Sequence, residues 1–215
     1  MPDFTLEMAE GAGEGRIVIG LDEAGRGPWA GPVTAAAAWL DPARLPRRLL
    51  ARLDDSKKLA PHARDEIYAQ LVGEVAAERD GAVVVAVGWA SVAEIDRLNI
   101  LQASLLAMRR AAEALPISPA AALVDGKHVP DLSCPGRPVV RGDSRSYSIA
   151  AASIVAKVTR DRHMQTLARE HPGYGWERNR GYGTAQHAAA LRRLGVTEQH
   201  RRSFRPVRET LSLTI

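Results

Sequence analysis

Ile17–Pro32 reads IVIGLDEAGRGPWAGP. An apolar run from Ile17 to Leu21 has the length and β-branched content of a buried strand. It ends in two adjacent carboxylates, Asp22 and Glu23, and a turn with glycine on either side of an arginine follows, Gly25-Arg26-Gly27. A second break comes at Gly31-Pro32. A strand that delivers acids to its open end beside a glycine turn is a sound start for a metal-dependent active site. It is not a dinucleotide-binding turn, because Pro28 and Pro32 lead into another strand and not into a helix. Adjacent strand residues point to opposite faces, so Asp22 and Glu23 share a site only if the extended chain ends or twists there.

Outward from this stretch, residues 1–15 carry Gly11, Gly13 and Gly15 and no apolar period, which predicts a loose N-terminal tail. Val33–Leu40 is a second strand, close enough to pair antiparallel with the first. Pro61–Ala77 repeats apolar residues at Ile67, Leu71 and Val75, one face of a helix opened by proline. Ala82–Trp89 is a β-branched strand, and Ser91-x-x-Glu94 is a capping box that starts a helix running to Leu115. Ala120–Val124 is a short buried strand ending at Asp125-Gly126; Val139–Gly142 is another, ending at Asp143. Ser144 then opens a long helix rich in alanine and serine between Ser148 and Ala156, small enough to lie close against a sheet. Thr184–Leu194 is a second C-terminal helix with Gly195 as its stop. The order β, β, α, β, α, β, β, α, α predicts an α/β fold: a mixed sheet with an antiparallel start and helices packed on it. Residues 16–170 form the core, and 171–215 form a helical lobe of the same domain.

The 215 residues suit one domain with an appended lobe. The single cysteine, Cys134, excludes an intrachain disulfide and argues against secretion. No signal peptide or membrane-length apolar run is present, so a cytoplasmic protein is the expectation. The net charge is only +4, but Arg160 to Arg208 hold eleven arginines against four acids, a local +7. That suits an anionic partner, nucleic acid first, although an arginine-rich solvated helical surface has the same composition. Tyr174, Trp176 and Tyr182 lie among Arg178, Arg180 and glycines. They read either as a stacking surface for nucleotides or as incidental aromatics in a helix connection.

Three strand ends thus carry acid: Asp22-Glu23, Asp125 and Asp143. Neighbouring strand ends lie about 5 Å apart, so four carboxylates could converge, and such a cluster repels itself unless a cation neutralises it. Oxygen-only ligands suit Mg²⁺ or Mn²⁺, and no histidine pair or second cysteine offers a zinc site. Each Asp-Gly taken singly is also an ordinary turn. Gly25-Arg26-Gly27 could bring N–H groups and a guanidinium to a sugar–phosphate, and Lys57 and Lys58 could hold a phosphate or be simply solvated.

The stretches IGLDEAGRGPWAGPV, LDDSKKL, EIDRLNILQASLLAM, LVDGK, GDSRSYSIAAASIVAKVTRDR, PGYGW, RGYGT and HRRSF, in this order from about Val18 to Val207, closely resemble the bacterial type 2 ribonuclease H family, ribonuclease HII. The resemblance implies a ribonuclease H-like core and a two-metal-ion endonuclease. Its substrate would be the RNA strand of RNA–DNA hybrids, including single ribonucleotides embedded in duplex DNA. It implies an acidic quartet of Asp22, Glu23, Asp125 and Asp143 binding Mg²⁺ or Mn²⁺. It implies substrate contacts from Gly25, Arg26 and Gly27 to the ribose 2′-hydroxyl, from Lys57, and from Tyr182 stacking on the following deoxyribose. The products would carry a 3′-hydroxyl and a 5′-phosphate. Lys127-His128 and Asn179-Arg180 depart from the residues common in the family. The sister type 3 ribonuclease H shares the acids, and a hybrid-binding protein with a dead site is the non-enzyme alternative. A monomer is expected, with the tail after Val207 either a partner peptide for a replication clamp or a packed end.

Overall fold

The computed structural model describes residues 1–54, 56, 59–72 and 81–212. Five strands form one mixed sheet: β1 (Val18–Ala24), β2 (Val33–Leu40), β3 (Val83–Ala90), β4 (Ala121–Asp125) and β5 (Gly136–Val139). Their spatial order is β3-β2-β1-β4-β5. The β1–β2 and β2–β3 pairs are antiparallel, and the β1–β4 and β4–β5 pairs are parallel. In register Leu21 stands opposite Val124, so Asp22 and Asp125 follow side by side at the ends of β1 and β4.

The helices are α1 (Thr5–Ala9), α2 (Arg47–Leu50), α3 (Pro61–Val72), α4 (Val92–Leu98), α5 (Ile100–Glu113), α6 (Tyr147–Glu170), α7 (Trp176–Asn179), α8 (Ala185–Leu194) and α9 (Arg205–Ser212). Strand alternation sorts the core into two layers. On one face Ala36, Ala38 and Leu40 pack with Ile67 and Leu71 of α3 and with Ala150–Ala152, Ile154 and Val155 of α6. On the other, Ile19, Leu21, Val33, Ala35 and Ala37 pack with Ala103, Ala107, Met108 and Ala111 of α5. Two glycines let the helices come this close. A Cβ on Gly20 of β1 would overlap the Ser148 backbone of α6, and one on Gly88 of β3 would overlap the Ala107 carbonyl oxygen of α5. Among the described residues no helix is long and apolar enough to cross a membrane.

Several local expectations change. The N-terminal residues are not a loose tail: Thr5–Ala9 are helical, with Leu6 and Glu7 buried. Leu6 joins Val18, Leu123, Val139 and Ile149 in an apolar cluster too short in sequence to show a period. The helix expected from Ser91 to Leu115 is two helices. The Ser91–Glu94 capping box opens α4 as expected, but Asn99 takes φ 70 and caps α5 through the Leu101 and Gln102 N–H groups. A short polar side chain tolerates that left-handed φ and supplies its own cap. The strand expected to carry Asp143 ends at Val139, and Asp143 lies in a 3₁₀ turn, Gly142–Ser144. Arg141 enters that turn with φ 55, and the α6 cap is Ser146 rather than Ser144. Residues to Ser212 form α9, in which Val207 is fully buried while Arg208, Glu209 and Ser212 of the tail after it are exposed. Val75 to Ala77 of the expected third-element helix lie outside the described residues.

The Gly20 contact is backbone against backbone, so no side-chain rotation relieves it. Gly20→Ala is expected to lower the unfolding free energy by about 3 kcal/mol or more, measured by urea denaturation.

Candidate active site

Asp22 and Glu23 lie near the end of β1, past its final pair with β4 at Leu21–Val124, and their side chains leave it on opposite faces. Asp22 shares the face of Gly20, toward α6; its Oδ1 accepts from the Glu23 N–H at 2.7 Å.

 Ser153 of α6 hydrogen-bonds the same carboxylate, and its hydroxyl lies 3.0 Å from that of Ser56. Glu23 shares the face of Leu21, toward α5. There it bounds a small cavity with Leu101, Ser104, Asp125, Lys127 and His128. Its Oε1 accepts from Arg26 at 3.2 Å, while its Oε2 is buried with no hydrogen-bond partner. Both acids reach one site beyond the last β1–β4 pair, Leu21–Val124, where β1 continues beside β2 alone. Asp22, Glu23, Asp125, Gly25, Arg26, Gly27, Ser56, Ser153, Lys157, Arg160 and Tyr182 line a single cavity of about 280 Å³. A larger groove of about 570 Å³, lined by Arg64, Arg162, Arg178 and Arg180, shares Lys157 with it.

Asp143 is not among the residues lining that cavity. It is buried in the 3₁₀ turn one residue past Gly142, whose N–H donates to Asp125 Oδ1 at 2.7 Å. Lys57 and Lys58 lie outside the described residues. Lys127 and His128 are exposed beside Asp125. Asn179 and Arg180 are used locally. The Asn179 amide donates to the Tyr174 carbonyl and its oxygen accepts from the Gly181 N–H, while Arg180 donates to the Trp176 and Glu177 carbonyls.

Burial, and then the charges of Glu23 and Asp125, push the Asp22 carboxyl well above its usual range. Burial also raises Glu23, against the opposing pull of Arg26. Bringing up a cation would reverse both effects. The donors are all oxygen, which fits a hard divalent ion, and the unpartnered Glu23 Oε2 is a vacant donor atom. Among the described residues no three His, Cys, Asp or Glu side chains are gathered into a cluster that could hold a metal ion by itself.

The glycine turn is held from below by two guanidiniums that sequence reasoning missed. Arg160 and Arg201 are 1% and 0% exposed. Arg201 donates to the carbonyls of Gly31, Arg26, Gly25 and Pro32, at 2.9, 3.0, 2.6 and 3.1 Å. Arg160 donates to those of Pro32, Arg180 and Ala30. Burial pulls them down to about 10 for Arg160 and about 9 for Arg201, so both stay cationic at neutral pH. With its carbonyls turned inward, the loop leaves Arg26 and Gly27 exposed at the cavity. The Tyr182 ring lies over Gly27, where an added Cβ would stand 3.4 Å from it.

Of the two readings of these aromatics, Tyr174 and Trp176 follow the structural one: they are buried, and of the three only Tyr182 is exposed. Their rings stack at 5.0 Å in the lobe core beside His187 and His200. Hydrogen bonds fix both tautomers. His187 Nδ1 faces the Tyr182 carbonyl and must carry hydrogen, so its Nε2 accepts from Trp176 Nε1–H. His200 Nδ1 accepts from the Thr197 N–H, so its Nε2–H points at His187 Nε2, 3.2 Å away. A proton added to either ring would face a donor. Burial, first, and neighbouring histidines pull His200 down to about 3, and burial also lowers His187.

Buried carboxylates at the ends of two parallel neighbours in a mixed sheet, next to a loop presented on fixed guanidiniums, define a metal-dependent nuclease with a ribonuclease H-like fold. The family model described as Ribonuclease HII matches residues 19–207, and the chain belongs to that family. Ribonuclease HII of Paramagnetospirillum magneticum is 60% identical over 207 residues, covering 96% of this chain and 97% of the relative. The ribonuclease H2 structure from Pyrococcus horikoshii OT3 matches with a TM-score of 0.75 at 25% identity, over 91% of this chain and 97% of that one. Bst-RNase HIII in complex with Mn²⁺ shares the fold at a TM-score of 0.67 and 20% identity, over 92% of this chain and 70% of that one. The type 3 alternative gives way to the family match.

Two outcomes follow from this geometry. Lysine cannot span four carbonyls, so Arg201→Lys is expected to cost about 3 kcal/mol of unfolding free energy, read by urea titration. The His200 imidazole, held down to about 3 when folded, binds a proton below about pH 6.5 once unfolded. Stability therefore falls as pH drops through that value, by about 1 kcal/mol from His200 between pH 7 and 5.5, with His187 acting in the same direction. Urea titrations at the two pH values check this, with ¹⁵N NMR expected to show His200 still neutral at the lower one.

Proposed function

We propose that the cavity at the end of β1 and β4 is where this ribonuclease HII cuts the RNA strand of RNA–DNA hybrids, including single ribonucleotides embedded in duplex DNA, as a step of DNA repair. The observation that carries the assignment of the site is the shared wall. Asp22, Glu23 and Asp125 face the same cavity as Gly25–Gly27 and Tyr182. Acids for metal and a loop for the sugar are thus within one nucleotide's reach.

Asp22, Glu23 and Asp125 would hold divalent ions, with Asp143 entering from the adjoining turn. Mg²⁺ and Mn²⁺ both fit the oxygen donors. When bound, the ions polarise the scissile phosphodiester and stabilise the charge of the leaving 3′-oxygen, leaving 3′-hydroxyl and 5′-phosphate ends. The protein's own residues orient and select. Ser153 and the Glu23 N–H aim the Asp22 carboxylate. The Gly25–Gly27 loop reads the 2′-hydroxyl, the group that separates RNA from DNA. Tyr182, exposed over Gly27, offers its ring to the following deoxyribose. The arginine-lined groove that shares Lys157 gives a sequence-independent hold on phosphates.

The tail after Val207 continues α9 with Arg208, Glu209 and Ser212 exposed, which leaves it accessible to a partner such as a replication clamp. The single cysteine supports a reducing, cytoplasmic compartment.

The test is cleavage of duplex DNA carrying one ribonucleotide, with Mg²⁺ and Mn²⁺ compared. The end groups are read directly, and 3′-hydroxyl with 5′-phosphate is expected. Asp22→Asn is expected to abolish cleavage while hybrid affinity stays within about threefold, since phosphate contacts elsewhere carry most of the binding. Substantial turnover by that variant in Mg²⁺ would refute the assignment of the metal site.

A further inference from the structure

The N-terminal segment has no part in the chemistry above, yet it is tied to the turn that carries Asp143. Asp3 pairs with Ser146 in a parallel bridge, and the Tyr147 N–H donates to the Asp3 carbonyl at 3.2 Å. The Phe4 ring meets that of Tyr147 edge-on at 4.9 Å. Glu10 pairs with Arg137 of β5 at 3.0 Å. Between them Glu7, only 2% exposed, puts its carboxylate at the N-terminus of α6. Its Oε1 accepts from Ser146 Oγ at 2.6 Å, Ser148 N–H at 2.9 Å and Ser148 Oγ at 2.7 Å. An anion here also complements the helix dipole. A solvated tail needs no buried carboxylate, and this one holds both ends of the Ser146–Ser148 turn.

The bonds continue toward the cavity. The Ser146 N–H donates to the Gly142 carbonyl at 2.8 Å, and the Gly142 N–H donates to Asp125 Oδ1 at 2.7 Å. Asp143 lies between these two anchor points, inside the turn that they close. A connected path thus runs from Glu7 through Ser146 and Gly142 to Asp125.

We propose that Asp3–Glu10 is a strap that sets the metal-binding acids, with Glu7 as its positioning residue. It fixes the Gly142–Ser148 segment and thereby the Asp125 and Asp143 carboxylates. The inference rests on the metal-site reading of those two acids.

The test is calorimetric titration of the full-length protein with MnCl₂, beside the MnCl₂ concentration needed for half-maximal cleavage. Glu7→Ala removes all three bonds and is expected to weaken Mn²⁺ binding about fivefold to tenfold, the low end of what outer ligand partners cost. The half-maximal concentration should rise by the same factor, while kcat at saturating metal stays within about twofold of wild type. Glu7→Gln keeps an oxygen to accept the three bonds and places its amide nitrogen at the unpartnered Oε2, so its Mn²⁺ affinity should match wild type. Ser148→Ala removes the hydroxyl bond alone. It should show a smaller loss in the same direction, and it carries the test if Glu7→Ala does not fold. A Glu7→Ala or Ser148→Ala protein that melts earlier yet binds Mn²⁺ like wild type would overturn the strap's role, leaving a plain helix cap. Wild-type protein that takes up no Mn²⁺ would instead overturn the metal-site reading on which the strap depends.

Discussion

At Gly20, α6 approaches β1 so closely that strand backbone meets helix backbone with no side chain between. Much of the site depends on it. The contact brings Ser153 within hydrogen-bonding distance of Asp22, two residues along β1 on the same face. It also sets the start of α6 beside the β4–β5 edge, where Ser146 and Ser148 meet Glu7. The run of alanines from Ala150 to Ala152 continues the same close packing under β2. A larger side chain at Gly20 would lift the helix and, with it, the serine that aims the first carboxylate.

Charge is distributed in an unusual way around this contact. The cavity holds carboxylates whose burial and mutual repulsion disfavour ionisation. Immediately behind the glycine loop sit two buried arginines that answer to carbonyl dipoles and not to carboxylates. Direct pairing of the two sets would satisfy both and would close the site. The loop keeps them apart. Its carbonyl side absorbs the guanidiniums, and the acids are left to a cation. A buried guanidinium has five donors in a rigid fork, which is why it can hold several carbonyls of one irregular loop where an ammonium could not.

The sheet, its two helix layers and the acids at strand ends were legible in the sequence because each rests on local pattern: period-two runs, Ser91-x-x-Glu94, Asp-Gly after apolar stretches. Arg160, Arg201, His187 and His200 were not. In the sequence they belong to an arginine-rich third that reads as surface, and only tertiary pairing of 29–31 with 199–201 buries them. Glu7 was missed for the same reason: a lone acid in a glycine-rich stretch carries no sign of the serines 139 and 141 residues away that receive it. Asp143 was placed at a strand end because apolar Val139 and Val140 precede it. The positive φ at Arg141, which bends the chain into a turn there, is not a preference of arginine but a consequence of Asp125 holding Gly142.

The same bend bears on why Asp22 and Glu23 work together although they leave β1 on opposite faces. Asp125, with Glu23 and Arg26, lines both the α6-side and the α5-side cavity. It therefore sits at the rim of the sheet, where the two faces meet, and its orientation is set by the Gly142 N–H. Two acids on opposite faces can serve one centre only across such a rim, with a third group between them. A site of this kind is open on the side where the strands stop, and a phosphate is the natural group to complete it.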